Sequence, residues 1–292
     1  MPLDEAEPST HRVDVDWLLT HHKDPEVVVV DVRWSMAGPS GLVLFEEGHI
    51  PEARYLDLDS DLSVPPEDGP GRHPRPTAQR FAQALARVGI GPETRSVIAY
   101  DDRGGAIAAR LWWLLGYFGF HGQRAVLDGG IQAWTDGGNP LETGVSPTGV
   151  PAPLMTLNGD ADWVVDHAIV EEALQGEALV LDARGDARYR GDQEPVDPRA
   201  GHIPGAMSAP YGDNLVSPAG PLRDLEYLDV RYEALGAFDD VPVIAYCGSG
   251  VTACHDIWVL TLLGREDVFL YEGSWSDWSA RSELPAGTGP EP

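Results

Sequence analysis

Two cysteines are present in the 292-residue chain, and both fall in one stretch, VIAYCGSGVTACHD (Val243–Asp256). An apolar, β-branched run ends at Tyr246. Cys247 follows directly, and Gly248, Ser249, Gly250, Val251 and Thr252 lead into an apolar pattern with helical spacing. A cysteine at the carboxyl end of a buried strand faces the crevice where open parallel sheets bind ligands. Glycines allow consecutive backbone N–H groups to converge as an anion nest, and the positive end of the next helix adds to it. Ser249 and Thr252 contribute hydroxyls. Such a setting favours a nucleophilic thiolate, or a negative charge on an atom attached to the sulfur.

Other uses of these residues fit less well. Cys254 lies two turns further on, in no special loop, and reads as a packing residue. A cysteine leading a helix and one seven residues later point apart, so no structural disulfide is expected. No CxxC pair occurs, and His255 is adjacent to Cys254, so their side chains diverge and a metal site is not supported. A phosphate-transferring Cys-x5-Arg loop needs an arginine six residues after the cysteine, where Ala253 stands.

The elements that must position Cys247 occur twice. EVVVVDVRW (26–34) pairs with EALVLDARG (177–185), and EEGHIPEARYLDLD (46–59) with RAGHIPGAMSAPYGD (199–213). SVIAYDDRGGAIAARLWWLL (96–115) pairs with PVIAYCGSGVTACHDIWVLT (242–261), and AVLDGGIQAW (125–134) with FLYEGSWSDW (269–278). The offsets run from 144 (125 to 269) to 153 (46 to 199), always in the same order, which indicates a duplicated domain. Each half alternates short β-branched runs with helical patterns, the signature of parallel α/β units. Strands are expected at 27–32, 97–100, 179–182 and 243–246, and a helix after Thr77 as N-cap. The Gly/Pro/Ser/Thr-rich stretch Gly137–Met155 marks the boundary. The aligned VIAY runs place Asp101 where Cys247 stands, so the first half lacks a sulfur nucleophile. His49 and His202 recur in both GHIP turns, which points to a structural role.

Composition narrows the function classes. Twenty basic against 47 acidic residues give a net charge of -27, which disfavours nucleic acid and anionic membrane surfaces as partners. With 42% hydrophobic residues and nine Trp there is material for two cores. No run reaches the roughly 18 apolar residues of a membrane span, and the acidic start shows no signal pattern, so a cytoplasmic setting is expected.

On the paired GHIP turns, the DGG…W and EGSW…W endings and the CGSGVTAC loop, the chain resembles the tandem-domain rhodanese-type sulfurtransferases. The resemblance implies an α/β fold of two rhodanese-like domains, each a mostly parallel sheet flanked by helices. It assigns 1–140 to a non-catalytic domain, 141–158 to a linker and 159–292 to the catalytic domain. The CGSGVT loop is similar to that of the 3-mercaptopyruvate-using branch, whereas thiosulfate-using members carry basic residues where Gly248 and Ser249 stand. The implied chemistry is covalent: Cys247 takes a sulfur from a small-molecule donor as a persulfide and hands it to a thiol such as thioredoxin, or to cyanide, without metal or organic cofactor. That branch also implies a Ser–His–Asp set, which falls on Ser249, His73 and Asp59, with Asp57 and Asp61 as neighbouring alternatives. It implies two donor-binding arginines, Arg188 in DARYRGD and, in a shortened segment, Arg199. Gly248, Gly250, Val251 and Thr252 complete the expected donor site. Thiosulfate:cyanide transfer is the main alternative, and a non-catalytic sulfur carrier a remote one.

Overall fold

A computed structural model describes residues 11–145, 151–174 and 176–292. Residues 1–10, 146–150 and 175 lie outside it, including part of the expected linker. Among the described residues there are two five-stranded sheets, every pairing of which is parallel. The first contains β1 (Arg12–Val13), β2 (Val27–Asp31), β3 (Arg54–Tyr55), β4 (Ser96–Tyr100) and β5 (Gln123–Leu127), in the order β1-β5-β4-β2-β3. The second contains β6 (Val164–Val165), β7 (Leu179–Asp182), β8 (Met207–Ser208), β9 (Val243–Tyr246) and β10 (Val268–Tyr271), in the order β6-β10-β9-β7-β8. The α/β class and the duplication expected from the sequence are both present.

The two VIAY runs are the central strands, β4 and β9, and every residue of both strands is buried. This is why they read as continuous apolar runs without alternation. Helices fill the connections, as parallel strands require. Thr77 caps the helix Ala78–Arg87 by accepting the Arg80 N–H.

The repeated motifs do the same work in each sheet. Arg33 pairs with Asp31 and donates to the Gly48 carbonyl at 2.7 Å; Arg184 pairs with Asp182 and donates to Gly201 at 2.7 Å. Both GHIP histidines are buried, stack on an aromatic ring (Phe45 or Tyr189) and bind a backbone carbonyl through Nδ1. The next N–H of each turn donates to the tyrosine that ends the central strand, Ile50 to Tyr100 and Ile203 to Tyr246, at 3.1 Å. The structural reading of His49 and His202 therefore holds, and the second turn fixes the strand end immediately before Cys247.

The chain divides into two compact units. One holds the described residues within 1–61, 77–158 and 218–222; the other holds those within 62–76, 159–217 and 223–292. The Pro/Gly segment Leu62–Pro76 thus packs with the second sheet, although it lies in the first half of the sequence.

Candidate active site

Cys247 leaves the end of β9 and is 2% exposed. Its N–H donates to Ser274 Oγ at 3.1 Å, and that hydroxyl donates to the Tyr271 carbonyl at 2.9 Å. The Cys247 and Gly248 carbonyls accept from Trp275 and Ser276 at 2.9 and 3.0 Å. Planar trans peptides then aim the N–H groups of Gly248 and Ser249 the opposite way, away from residues 275 and 276. Gly250 has φ +76°, and a Cβ there would stand 2.6 Å from the Glu272 carbonyl, so backbone conformation and close packing both require glycine. Val251 is buried, Thr252 half-buried, and the helix Ala253–Leu262 begins directly after them. Cys254 is fully buried in that helix, its thiol donating to the Gly250 carbonyl at 3.3 Å. Both cysteines are free thiols.

The first unit shows what this loop geometry can hold. Asp101, at the end of β4, is completely buried. Its carboxylate accepts the N–H groups of Arg103, Gly105, Ile107 and Ala108 at 2.9, 2.9, 2.6 and 2.9 Å. Its carbonyl accepts from Ile131, as that of Cys247 accepts from Trp275. The strand–loop–helix turn is an anion nest, which in the first unit is filled by its own side chain.

The segment 62–76 reaches the Cys247 loop through Arg72 and Arg75. The Arg72 N–H donates to Ser276 Oγ at 3.1 Å, and Arg75 binds the buried Glu272 carboxylate through both its N–H and its guanidinium. His73 between them has Nδ1 2.7 Å from Ser249 Oγ; the tautomer decides which atom donates. Ser249 is buried. Asp59 belongs to the other unit, where Oδ2 accepts from the Trp34 indole at 2.9 Å. Of the alternatives, Asp57 accepts from Ser60 and Tyr55, and Asp61 binds Arg87 at 2.6 Å, both within that unit.

Arg188 lies beside the loop. A Cβ on Gly248 would stand 3.1 Å from Arg188 Nη1 and 2.9 Å from Arg72 Nη2. Arg188 is held by Glu194 at 2.8–3.2 Å and by Asp197 at 2.8 Å. The other Asp197 oxygen binds Arg72. Burial pushes the Asp197 carboxyl up from the ordinary range, against the pull of Arg72 and Arg188.

Arg199 is placed differently. Its guanidinium donates to the carbonyls of Trp278, Ser279, Arg281 and Leu284 at 2.8–2.9 Å, fastening the end of the helix Ser274–Trp278. With its donors committed to backbone, it is built as a structural arginine. The guanidinium beside Arg188 is that of Arg72, which sequence reasoning missed. Its signal was present: two arginines flank His73 in GRHPR, in a chain with few cations. A cleft of about 590 Å³ opens at Arg72 and Asp197, walled by Pro70, Pro198, Ser276 and Arg281. Among the described residues, no group of three or more His, Cys, Asp or Glu side chains is placed to hold a metal ion, and no helix is long and apolar enough to cross a membrane.

This architecture is matched by known proteins. The model of the rhodanese-like domain matches residues 14–136 and 166–281. A Pseudomonas aeruginosa protein named "Probable 3-mercaptopyruvate sulfurtransferase" is 42% identical over 96% of this chain and 99% of its own. A Mycobacterium tuberculosis protein, whose name of thiosulfate sulfurtransferase SseB is itself provisional, is 37% identical over 91% of this chain and 92% of its own. The crystal structure of the 3-mercaptopyruvate sulfurtransferase SseA from Escherichia coli superposes with a TM-score of 0.79 at 32% identity, covering 90% of this chain and 98% of that one. With both halves matched and full-length relatives above 30% identity, the chain belongs to the rhodanese-like family, as a tandem of two such domains.

Proposed function

We propose that this protein is a sulfurtransferase that moves sulfur from 3-mercaptopyruvate to a thiol acceptor, such as a thioredoxin-type protein, or to cyanide. Residues 1–140 are read as a non-catalytic domain apart from the His73 segment, 141–158 as a linker, and 159–292 as the catalytic domain. The Cys247 thiolate attacks the donor sulfur, forming the S–S bond and breaking the donor's C–S bond. The electron pair leaves on the three-carbon fragment as the enolate of pyruvate. Protonation of that enolate gives pyruvate, and Cys247 carries the persulfide. An acceptor thiolate then attacks the outer sulfur and releases Cys247.

The observation that carries this reading is the 2.7 Å pairing of His73 with Ser249, two residues from Cys247. A leaving enolate needs a proton, and a serine–histidine pair beside the nucleophile is suited to relay one. The resemblance implies Asp59 as a third member; its carboxylate accepts from the Trp34 indole, and the relay is proposed on His73 and Ser249. We assign Gly248, Gly250, Val251 and Thr252 to the nest for the persulfide anion; of these, Val251 matches a donor to the Asp101 carboxylate, Gly105. For the donor carboxylate we assign Arg188 and Arg72 in place of Arg199, because guanidinium groups match carboxylates and these two border Gly248.

Thiosulfate is the second reading. Two guanidinium groups beside a loop without cations of its own favour it, although carboxylates of Asp197 and Glu194 pair with both. The deciding experiment measures kcat/KM for both donors with a common acceptor, together with the intact mass after donor treatment. One added sulfur on wild type, lost in Cys247→Ser and retained in Cys254→Ser, is expected, with mercaptopyruvate as the better donor. A persulfide persisting in Cys247→Ser, or a higher kcat/KM for thiosulfate, overturns the respective part.

A further inference from the structure

We propose that Asp197 determines donor selectivity: its carboxylate occupies the place between Arg72 and Arg188 that a donor anion must take, and its charge disfavours dianionic donors. This rests on the sulfurtransferase reading above.

The geometry is that of an internal carboxylate bound like a substrate. One oxygen of Asp197 binds Arg72 and the other binds Arg188, and both guanidinium groups border Gly248, the residue after the nucleophile. The Asp197 side chain is 2% exposed, so its charge acts in a poorly screened environment. Glu194 is an equally buried neighbour with a different role. It accepts the N–H groups of Val196 and Asp197 at 3.1 and 3.0 Å, binds Arg188 and also reaches Arg184 at 3.5 Å. Glu194 is therefore the anchor of this turn, tied to backbone as well as side chains. Among the described residues, the Asp197 carboxylate binds guanidinium groups alone, and it lines the cleft of about 590 Å³ that opens beside it. An incoming carboxylate can exchange for it without disturbing the turn.

Charge explains the selectivity. Arg72 and Arg188 carry two positive charges, and Asp197 and Glu194 carry two negative ones. The arginine pair thus presents hydrogen-bond donors with little net charge. A monocarboxylate exchanging for Asp197 leaves the charge in contact with the arginines unchanged and adds a single negative charge beside the displaced carboxylate. A dianion alters both, and its repulsion from a nearby Asp197 is twice that of a monoanion. The selectivity expected from the uncharged Gly248–Ser249 loop is therefore reinforced by a residue outside the loop.

The test is Asp197→Asn, which keeps the shape and removes the charge. Persulfide formation is followed by intact mass and by kcat/KM for thiosulfate and mercaptopyruvate at low and high ionic strength. Thiosulfate kcat/KM should rise about tenfold. The KM for mercaptopyruvate should fall by a smaller factor with kcat little changed, and the donor ratio should move toward thiosulfate most at low salt. A donor ratio unchanged from wild type, or both donors weakened equally with a lowered Tm, overturns the inference and leaves Asp197 a structural ion-pair partner. If Asp197→Asn does not fold, Asp197→Ser is measured against the same outcomes. Failure of the underlying reading is separate: it would appear in the wild type, as no persulfide from mercaptopyruvate or as a native preference for thiosulfate.

Discussion

His73 and Ser249 are 176 positions apart in the chain, yet Nδ1 of one stands 2.7 Å from Oγ of the other. The contact exists because the segment 62–76 packs with the second sheet, pinned on either side of the histidine by Arg72 on Ser276 and Arg75 on Glu272. It sets a serine–histidine pair two residues from Cys247, and on the proposed function that arrangement separates the two candidate donors by their leaving groups.

Pyruvate enolate must be protonated, whereas sulfite leaves as a stable anion. His73→Asn and Ser249→Ala are therefore expected to lower kcat on mercaptopyruvate by roughly 10²-fold or more, the usual size of a lost general acid or base. Turnover of thiosulfate should change by much less. Steady-state assays on both donors check this, and an equal loss on both would show that the pair positions Cys247 and does not move protons.

Gly248 is the second test. A Cβ there meets the guanidinium ends of Arg72 and Arg188 and no backbone atom, so those side chains must shift against their carboxylate partners while the backbone need not. Gly248→Ala should leave Tm within a few degrees of wild type while raising the KM for mercaptopyruvate about tenfold, the scale of one weakened charge-assisted contact. A KM unchanged in a folded variant would remove both arginines from the donor site.

How far the site was legible follows from which of its parts are local. Cys247 could be placed because β9, the glycine loop and the helix Ala253–Leu262 are consecutive, and the copy of the same turn carries Asp101 where Cys247 stands. The sheets were legible because their central strands are buried on both faces and read as apolar runs. The second arginine was not. Arg199 has the expected position before GHIP, but position does not reveal that four carbonyls at the end of a short helix already take its donors. Arg72 reaches the loop through the tertiary placement of 62–76; GRHPR marks it as a candidate cation, but the pattern does not say where it lands.

Ser274 is the third test. It has φ +52°, a left-handed conformation that costs a non-glycine residue about 1 kcal/mol, and its hydroxyl accepts the Cys247 N–H. The matching position in the first unit is Gly130, with φ +55°. Ser274→Gly relieves the strain but loses the hydroxyl, so its stability should stay within about 1 kcal/mol of wild type; Ser274→Ala loses the hydroxyl and keeps the strain, and should be less stable by about 1–3 kcal/mol. Both should lower kcat with KM little changed if the hydroxyl holds Cys247 in its reactive position. Denaturant unfolding alongside kinetics checks the split, and full activity in Ser274→Gly would leave the hydroxyl a purely structural contact.

The last test concerns Asp256, buried in the helix that follows the cysteine loop. Burial raises its carboxyl to about 7, against the lowering effects of Arg231 and of hydrogen bonds from Tyr232 and Asn214, with Asp182 adding to the rise. Tyr232 and Asn214 both donate to Oδ1 at 3.0 Å, His255 Nδ1 lies 3.3 Å from the same Asn214 amide, and Oδ2 has no hydrogen-bond partner among the described residues. An acid whose pKa is higher folded than unfolded binds more protons in the native state between those two values. Its contribution to stability is then fully present below about pH 4 and is lost as pH rises toward 7, by up to about 4 kcal/mol over about three units. Above pH 7 the loss is complete and the contribution is flat. Asp256→Asn is permanently neutral and keeps an oxygen for Tyr232 and Asn214. Its stability relative to wild type should therefore increase from pH 4 to 7 and level off above that. Paired urea titrations at pH 4, 5.5, 7 and 8 read this difference directly, and a difference that is constant across them would show that Asp256 is ionised throughout.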